Sequence, residues 1–270
     1  MTTAHRSHDL AALDAVAQTL ADAARAAILP YFRSSDLVTE NKLAGDFDPV
    51  TAADRAAEQA MRAILARDRP DDAILGEEFG QSAGTSGLTW VLDPIDGTRG
   101  FVSGTPTWGV LIAISDAQGP FYGLVDQPYI GERFIGAPGK AEMTGPRGPM
   151  PLQTRTTTEL ADAILFTTFP EVGSPQEGAA FRAVADQAKL TRYGMDCYAY
   201  ALLAAGQIDL VVEAALQPYD IQAPIALIQA AGGIVTGWDG SPAHMGGRAL
   251  AAANPEIHAK ALTVLRDHLL

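Results

Sequence analysis

Trp90-Val91-Leu92-Asp93-Pro94-Ile95-Asp96-Gly97-Thr98 decides how this chain is read. An apolar strand runs directly into two aspartates three residues apart, and then into Gly-Thr. Pro94 is expected to stop the strand and stiffen the turn, so that Asp93 and Asp96 converge at the strand's end. Gly97 lets backbone approach a ligand closely, and the N–H groups beside it suit an anion at a helix start. Hard divalent cations take oxygen ligands, and Mg²⁺ binds few carboxylates while keeping water. Two aspartates on a rigid turn therefore suit a magnesium site. Asp-x-x-Asp alone is also an ordinary surface turn; the apolar strand feeding this one sets both acids at a sheet edge, where sites tend to form.

Three further segments carry acids at element ends. Ile74-Leu75-Gly76-Glu77-Glu78 is another short apolar run ending in acids, and Asp48-Pro49-Val50-Thr51-Ala52-Ala53-Asp54 opens a helix. Tyr219-Asp220 precedes the helix that begins at Ile221. Each has a plain alternative: Glu77 and Glu78 as solvated charges, Thr51 with Asp54 as a near capping box, and Asp220 as a helix cap. Their joint presence gives them weight.

The rest of the chain bounds the answer. Its 270 residues are 47% hydrophobic, enough for a full core in one large domain or two intimate ones. No long uncharged apolar run marks a membrane span. The polar stretch Met1–Asp9 has no apolar core ahead of a small-residue cleavage site, so it does not read as a signal peptide. Cys197 is the single cysteine, which excludes an internal disulfide and fits a reducing compartment. A cytoplasmic protein is the expectation. The net charge of −13 argues against nucleic acid as a partner. It also means that a carboxylate-lined pocket would repel a phosphate substrate unless divalent cations reversed the local sign.

Apolar residues recur at helical spacing from Ser7 to Phe32, with Leu10, Leu13, Ala17, Leu20, Ala24 and Ile28 on one face. A second helix is expected over Thr51–Ala66, and short strands over Ala73–Leu75 and Trp90–Leu92, with a Gly/Ser-rich loop between them. Trp108–Ser115, Phe121–Val125 and Arg133–Gly136 read as successive, mostly antiparallel strands. The glycine- and proline-rich stretch Pro138–Pro151 is expected to be turns and an internal boundary. Beyond it come a strand (Ala163–Thr168), helices (Gln176–Lys189 and Tyr198–Ala205), a strand (Leu210–Glu213), a helix (Ile221–Ala231) and a strand at Ala249–Ala253. Asn254-Pro255 then caps a last helix.

In order along the chain stand Gly-Glu-Glu (76–78), Asp-Pro-Ile-Asp-Gly-Thr (93–98) and Tyr-Asp (219–220). This set resembles the inositol monophosphatase superfamily, whose motifs include Gly-Glu-Glu, Trp-x-x-Asp-Pro-Ile/Leu-Asp-Gly-Thr and a later Trp-Asp. The likeness spans nearly the whole chain. It implies an α+β protein, a layered α/β/α/β/α sandwich of the inositol monophosphatase and fructose-1,6-bisphosphatase type. An N-terminal half, 1–145, would carry most metal ligands; a C-terminal half, 146–270, would supply Asp220 and substrate contacts.

The same resemblance implies that Glu77, Asp93 and the Ile95 carbonyl hold one Mg²⁺. Asp93, Asp96 and Asp220 would hold a second, and a third, weaker ion would lie near Glu77. Asp54 and Thr98, with Glu77, would be the catalytic residues: the Asp54 carboxylate accepts from the Thr98 hydroxyl, which orients an attacking water, and no phosphoenzyme forms. Gly97 and Thr98 would receive the phosphate through backbone N–H groups. Asp96, Arg192, Asp196, Glu213 and Asp220 would complete the substrate contacts, Arg192 having a surface strand charge as its plain alternative. The resemblance also implies a homodimer, which no stripe in the sequence demonstrates.

Where inositol phosphatases usually continue Asp-Gly-Thr with Thr-Asn-Phe, this chain has Arg99-Gly100-Phe101. Together with Asp196-Cys197-Tyr198 and Gln217-Pro218-Tyr219-Asp220, that departure resembles the histidinol-phosphate phosphatase branch. The expected substrate is a small phosphate monoester, L-histidinol phosphate first, with Asp196 and Glu213 facing its amine. Inositol 1-phosphate, fructose 1,6-bisphosphate and 3′-phosphoadenosine 5′-phosphate are the alternatives within the superfamily. A haloacid-dehalogenase-type phosphatase would need its two acids two apart rather than three. A non-catalytic regulatory protein on this fold would be expected to have lost metal ligands, and Glu77, Asp93, Asp96 and Asp220 are all present.

Overall fold

The computed structural model describes residues 8–34, 39–41 and 49–269. Ser7, Asp48 and the side chain of Thr51 lie outside the described residues, so the near capping box at the second helix is not addressed. Helix α1 (Leu10–Ile28) is capped by Asp9, whose carboxylate accepts from the Ala12 N–H at 3.0 Å. Its periodic residues Leu13, Ala17, Leu20, Ala24 and Ile28 are buried. A two-stranded sheet, β1 (Thr39–Asn41) with β2 (Pro49–Thr51), leads into α2 (Ala52–Asp68).

The large sheet follows. Its strands are β3 (Ala73–Gly76), β4 (Gly80–Ser82), β5 (Thr89–Asp96), β6 (Gly109–Asp116), β7 (Gly119–Gln127), β8 (Glu132–Ala137), β9 (Lys140–Gly145) and β10 (Gly148–Pro151), with the short helix α3 (Thr98–Ser103) after β5. They lie in the order β10-β9-β8-β7-β6-β5-β3-β4, antiparallel apart from the β3–β5 pair. The second half adds β11 (Ile164–Thr167), α4 (Pro175–Ala185), β12 (Leu190–Tyr193), α5 (Cys197–Ala204), β13 (Leu210–Leu216), α6 (Pro218–Ala230), β14 (Ile234–Thr236), β15 (Gly247–Ala252) and α7 (Pro255–Asp267). Its five-stranded sheet runs β12-β11-β13-β15-β14.

Both faces of the large sheet are covered, which is why β5 and β6 read as unbroken apolar runs instead of alternating ones. Trp90, Leu92, Ile112 and Ile114 pack under α1 and α2, whereas Val91, Leu111 and Ala113 face α5 and α6. Helices α4 and α7 cover the outer side of the smaller sheet, around Trp238, Leu210 and Leu250. The result is five layers, α/β/α/β/α. Among the described residues no helix is long and apolar enough to cross a membrane.

Two glycines set how closely α6 lies on the large sheet. Gly123 on β7 and Gly136 on β8 are register partners. A Cβ on Gly123 would meet the Ala223 carbonyl oxygen at 2.1 Å, and one on Gly136 the Leu227 Cα at 2.3 Å. The absent side chains let the helix rest on the strands' backbone and so fix where its N-terminal residue Asp220 stands.

Pro138–Pro151 differs from the expectation. It forms strands β9 and β10, which pair with each other and extend the large sheet. The expected division at 145 therefore falls inside a hairpin, and the chain leaves this sheet only after Pro151. β10 is the edge strand, the one place where Pro149 and Pro151 cost no interior ladder bond.

Candidate active site

Pro94 does not end β5. The strand continues to Asp96, with a register shift in which Asp93 pairs with Leu111 and Asp96 with Gly109. Three steps on β5 thus oppose two on β6, a bulge of one residue. In a regular strand, residues three apart point to opposite faces. The extra residue cancels that alternation and turns Asp93 and Asp96 to the same side. Proline, lacking an N–H, is tolerated at such a point. The Ile95 N–H donates to Asp93 Oδ1 at 3.1 Å, which stiffens the bulge.

The third acid arrives from the other half of the molecule. Gln217 is the N-cap of α6, so Asp220 sits at its third position; Asp220 Oδ2 accepts from the Gln217 N–H at 2.7 Å. Asp93, Asp96 and Asp220 each present an oxygen within 4.8 Å of the others'. Glu77, just after β3, is tied to the same strand through its N–H, which donates to the Leu92 carbonyl at 3.2 Å. Burial, then the charges of Glu77, Asp96 and Asp220, holds the Asp93 carboxyl well above the usual carboxylate range. Asp96 is pushed the same way by burial and by Asp196 and Asp220, although its Oδ2 accepts the Cys197 N–H at 2.6 Å at the start of α5. Crowded hard oxygens that repel one another fit a divalent cation of the Mg²⁺ class.

These acids line a cavity of about 530 Å³ together with Ile95, Gly97, Thr98, Asp196 and Glu213. Gly97 has φ +84, and a Cβ there would lie 2.7 Å from Asp196 Cγ, so only glycine fits under that carboxylate. Asp196 has φ 47 and ψ −142, a conformation that non-glycine residues rarely hold. Its Oδ2 accepts from the Thr107 hydroxyl at 3.2 Å. Burial raises its pKa, while that hydrogen bond and the charge of Arg99 oppose the rise. Glu213 is anchored from both sides. Oε1 accepts from the Thr168 N–H at 3.0 Å and from the Thr168 hydroxyl, and Oε2 accepts from the Tyr200 hydroxyl at 2.9 Å. Burial raises the Glu213 pKa against these donors.

Two expected residues stand apart from the cavity wall. Asp54 is buried in the first turn of α2. The Thr98 hydroxyl, its expected partner, donates to the Ile95 carbonyl at 3.0 Å, three residues back. Arg192 is exposed on β12, an edge strand of the smaller sheet, and is not among the residues lining the cavity. Conversely, Arg99, Phe169, Thr168 and Tyr200 line the cavity without having been singled out as contacts. The Arg99 guanidinium stacks on the Phe169 ring at 4.9 Å from its centroid. Only Arg99 carried a signal, as a departure from the usual Asp-Gly-Thr continuation.

The sequence profile of the inositol monophosphatase family matches residues 9–270. The chain belongs to that family. It is 40% identical over 266 residues to the bifunctional phosphatase IMPL2, chloroplastic, of Arabidopsis thaliana, covering 94% of this chain and 75% of the relative. It is 37% identical over 260 residues to a histidinol-phosphatase of Streptomyces coelicolor, covering 93% and 96%. The inositol monophosphatase structure from Zymomonas mobilis superposes with a TM-score of 0.83 at 35% identity, over 97% of this chain and all of that one. As a member of this family, the chain is a metal-dependent phosphatase of phosphate monoesters, on the layered fold described above.

Proposed function

We propose that this phosphatase uses Mg²⁺ to hydrolyse L-histidinol phosphate to L-histidinol and phosphate, which would place it in histidine biosynthesis. The observation that carries the reading is the pair Asp196 and Glu213, two acids lining the cavity outside the three-aspartate cluster. The backbone conformation at Asp196 costs roughly 1–3 kcal/mol, and it seats a carboxylate directly over Gly97. A substrate ammonium facing these acids gains a charge-assisted hydrogen bond of about 1.5–3 kcal/mol, roughly tenfold to a hundredfold in selectivity. Inositol phosphate has only hydroxyls to offer. The name of the Streptomyces relative supports the same substrate. The likeness to the Zymomonas enzyme supports the second reading, inositol 1-phosphate.

Glu77, Asp93, the Ile95 carbonyl, Asp96 and Asp220 would hold two Mg²⁺ ions, with a third near Glu77. When bound, such ions lower the pKa of a water and stabilise charge on the attacking and leaving oxygens. The Gly97 and Thr98 N–H groups receive phosphate oxygens, and Asp96 and Asp220 also border the substrate. Asp54 and Thr98 orient the attacking water, the Thr98 hydroxyl exchanging its Ile95 partner for the Asp54 carboxylate. Asp196 and Glu213 hold the leaving group by its amine.

Phosphate release with Mg²⁺ from histidinol phosphate, inositol 1-phosphate, fructose 1,6-bisphosphate and 3′-phosphoadenosine 5′-phosphate, compared by kcat/KM, tests this. A preference for histidinol phosphate that EDTA abolishes is expected. A preference for inositol 1-phosphate would keep the metal site and overturn the roles given to Asp196 and Glu213.

A further inference from the structure

Glu58 is fully buried on α2, one turn after Asp54, and no part of the reaction described above uses it. Its carboxylate grips the turn that carries Glu77. Oε2 accepts from the Glu78 N–H at 2.7 Å, and Oε1 accepts from the Phe79 N–H at 3.2 Å. The Arg62 Nε–H donates to the same Oε1 at 2.7 Å. Arg62 then reaches the far side of the turn, donating to the Ser82 hydroxyl at 2.9 Å and to the Gly80 carbonyl. The pair thus takes N–H groups just after Glu77 and a carbonyl at the start of β4. Gly76 completes the fit: a Cβ there would fall 2.0 Å from Glu58 Oε1, so glycine is required for the carboxylate to come this close.

A buried carboxylate is costly to place unless its oxygens are fully engaged. Here they are engaged by Arg62 and by the two backbone N–H groups that directly follow one prospective ligand, not by a distant strand. We propose that Glu58 is a positioning residue for metal binding: with Arg62 it fixes the Gly76–Phe79 turn so that the Glu77 carboxylate meets Asp93. The proposal rests on the reading of Glu77 and the aspartates as a metal site. It also joins two functions in one helix, because α2 carries Asp54 and Glu58 on successive turns. Partners that orient a ligand from behind typically alter metal affinity by roughly 10–100-fold when removed.

The test is direct binding of Mn²⁺, as a stand-in for Mg²⁺, followed through the electron paramagnetic resonance of the free ion. Glu58→Gln keeps the shape but places an amide N–H₂ against donors. It should weaken Mn²⁺ binding about tenfold or more, and raise the Mg²⁺ concentration for half-maximal phosphate release more than it lowers kcat at saturation. Combined with Glu77→Gln, its effect on binding should largely vanish, since residues acting through one another are not additive. Should Glu58→Gln fold poorly, Arg62→Lys, which loses the fork to Gly80 and Ser82, should show a smaller shift in the same direction. Asp72→Asn, which disturbs the bonds that Asp72 accepts from Arg69 and Trp90, should lower the melting temperature without changing Mn²⁺ affinity. Unchanged Mn²⁺ affinity in both Glu58→Gln and Arg62→Lys would overturn the positioning role while leaving the metal site intact, as would additive losses in the double variant. Wild-type protein that binds no Mn²⁺ would instead remove the metal reading, and the proposal with it.

Discussion

Asp93 on β5 and Asp126 on β7 lie in the same sheet, 2% and 0% exposed, yet their surroundings are opposite. Asp126 receives the Arg25 fork at 2.7 and 3.1 Å and the Arg133 Nε–H at 2.8 Å. Arg133 in turn reaches Asp22 and Gln18 on α1. Its charge is balanced by the protein itself, and its work is to fasten α1 to the sheet. Asp93 faces Glu77, Asp96 and Asp220, all of its own sign. Burial alone therefore does not mark a site. What marks it is burial with a charge imbalance that the chain leaves for a cation to correct.

Exchanging the two acids' roles is the sharpest way to break this contrast. Asp93→Asn should abolish phosphate release while the protein folds normally, since it removes a repelled charge; retained turnover would defeat the metal assignment. Asp126→Ala should do the reverse. Stranding two arginines around a buried gap should cost about 3–5 kcal/mol in a denaturant titration, with kcat of the folded protein unchanged. A loss of kcat with full stability would erase the distinction.

Smaller effects sharpen it further. Asp196→Asn should lower kcat/KM for histidinol phosphate by roughly tenfold or more and for inositol 1-phosphate by less; equal losses would count against an amine partner. The metal-free protein should also carry a signature in pH. Asp93 and Asp96 titrate well above the usual range in the folded state but near about 4 when unfolded. Between those values the native state binds more protons, so their contribution to stability falls as pH rises. Compared with Asp93→Asn, metal-free wild type should lose melting temperature as pH is raised from about 5.5 to 7.5, and saturating Mg²⁺ should remove most of that loss. Parallel curves without metal would contradict the crowding.

What was legible in the sequence was mainly local. Asp93–Thr98 announces itself because strand, turn and acids are contiguous, and the helical face of α1 follows from spacing alone. The bulge at Pro94 was not legible, since it exists only as a register against β6. Pro138–Pro151 reads as turns because glycine and proline density reports turns: Gly139 and Gly148 do adopt φ +75 and +90, but the residues between them form β9, which pairs with β8 and with the edge strand β10. Helix α3 is too short to show a period. The anchoring of Glu213 by Thr168 and Tyr200 joins three separate elements, and Glu58 looks in sequence like any acid on a helix. Such roles belong to tertiary contacts, which no single window of sequence contains.

The account stands or falls on whether the aspartate cluster is built for a cation, and thermal unfolding with and without Mg²⁺ decides this. A ligand that binds only the native state raises its stability by mass action. Mg²⁺ should therefore raise the melting temperature of wild-type protein and of Asp126→Asn in parallel, and leave Asp93→Asn unmoved. An equal rise in Asp93→Asn, or none in wild type, would contradict the account.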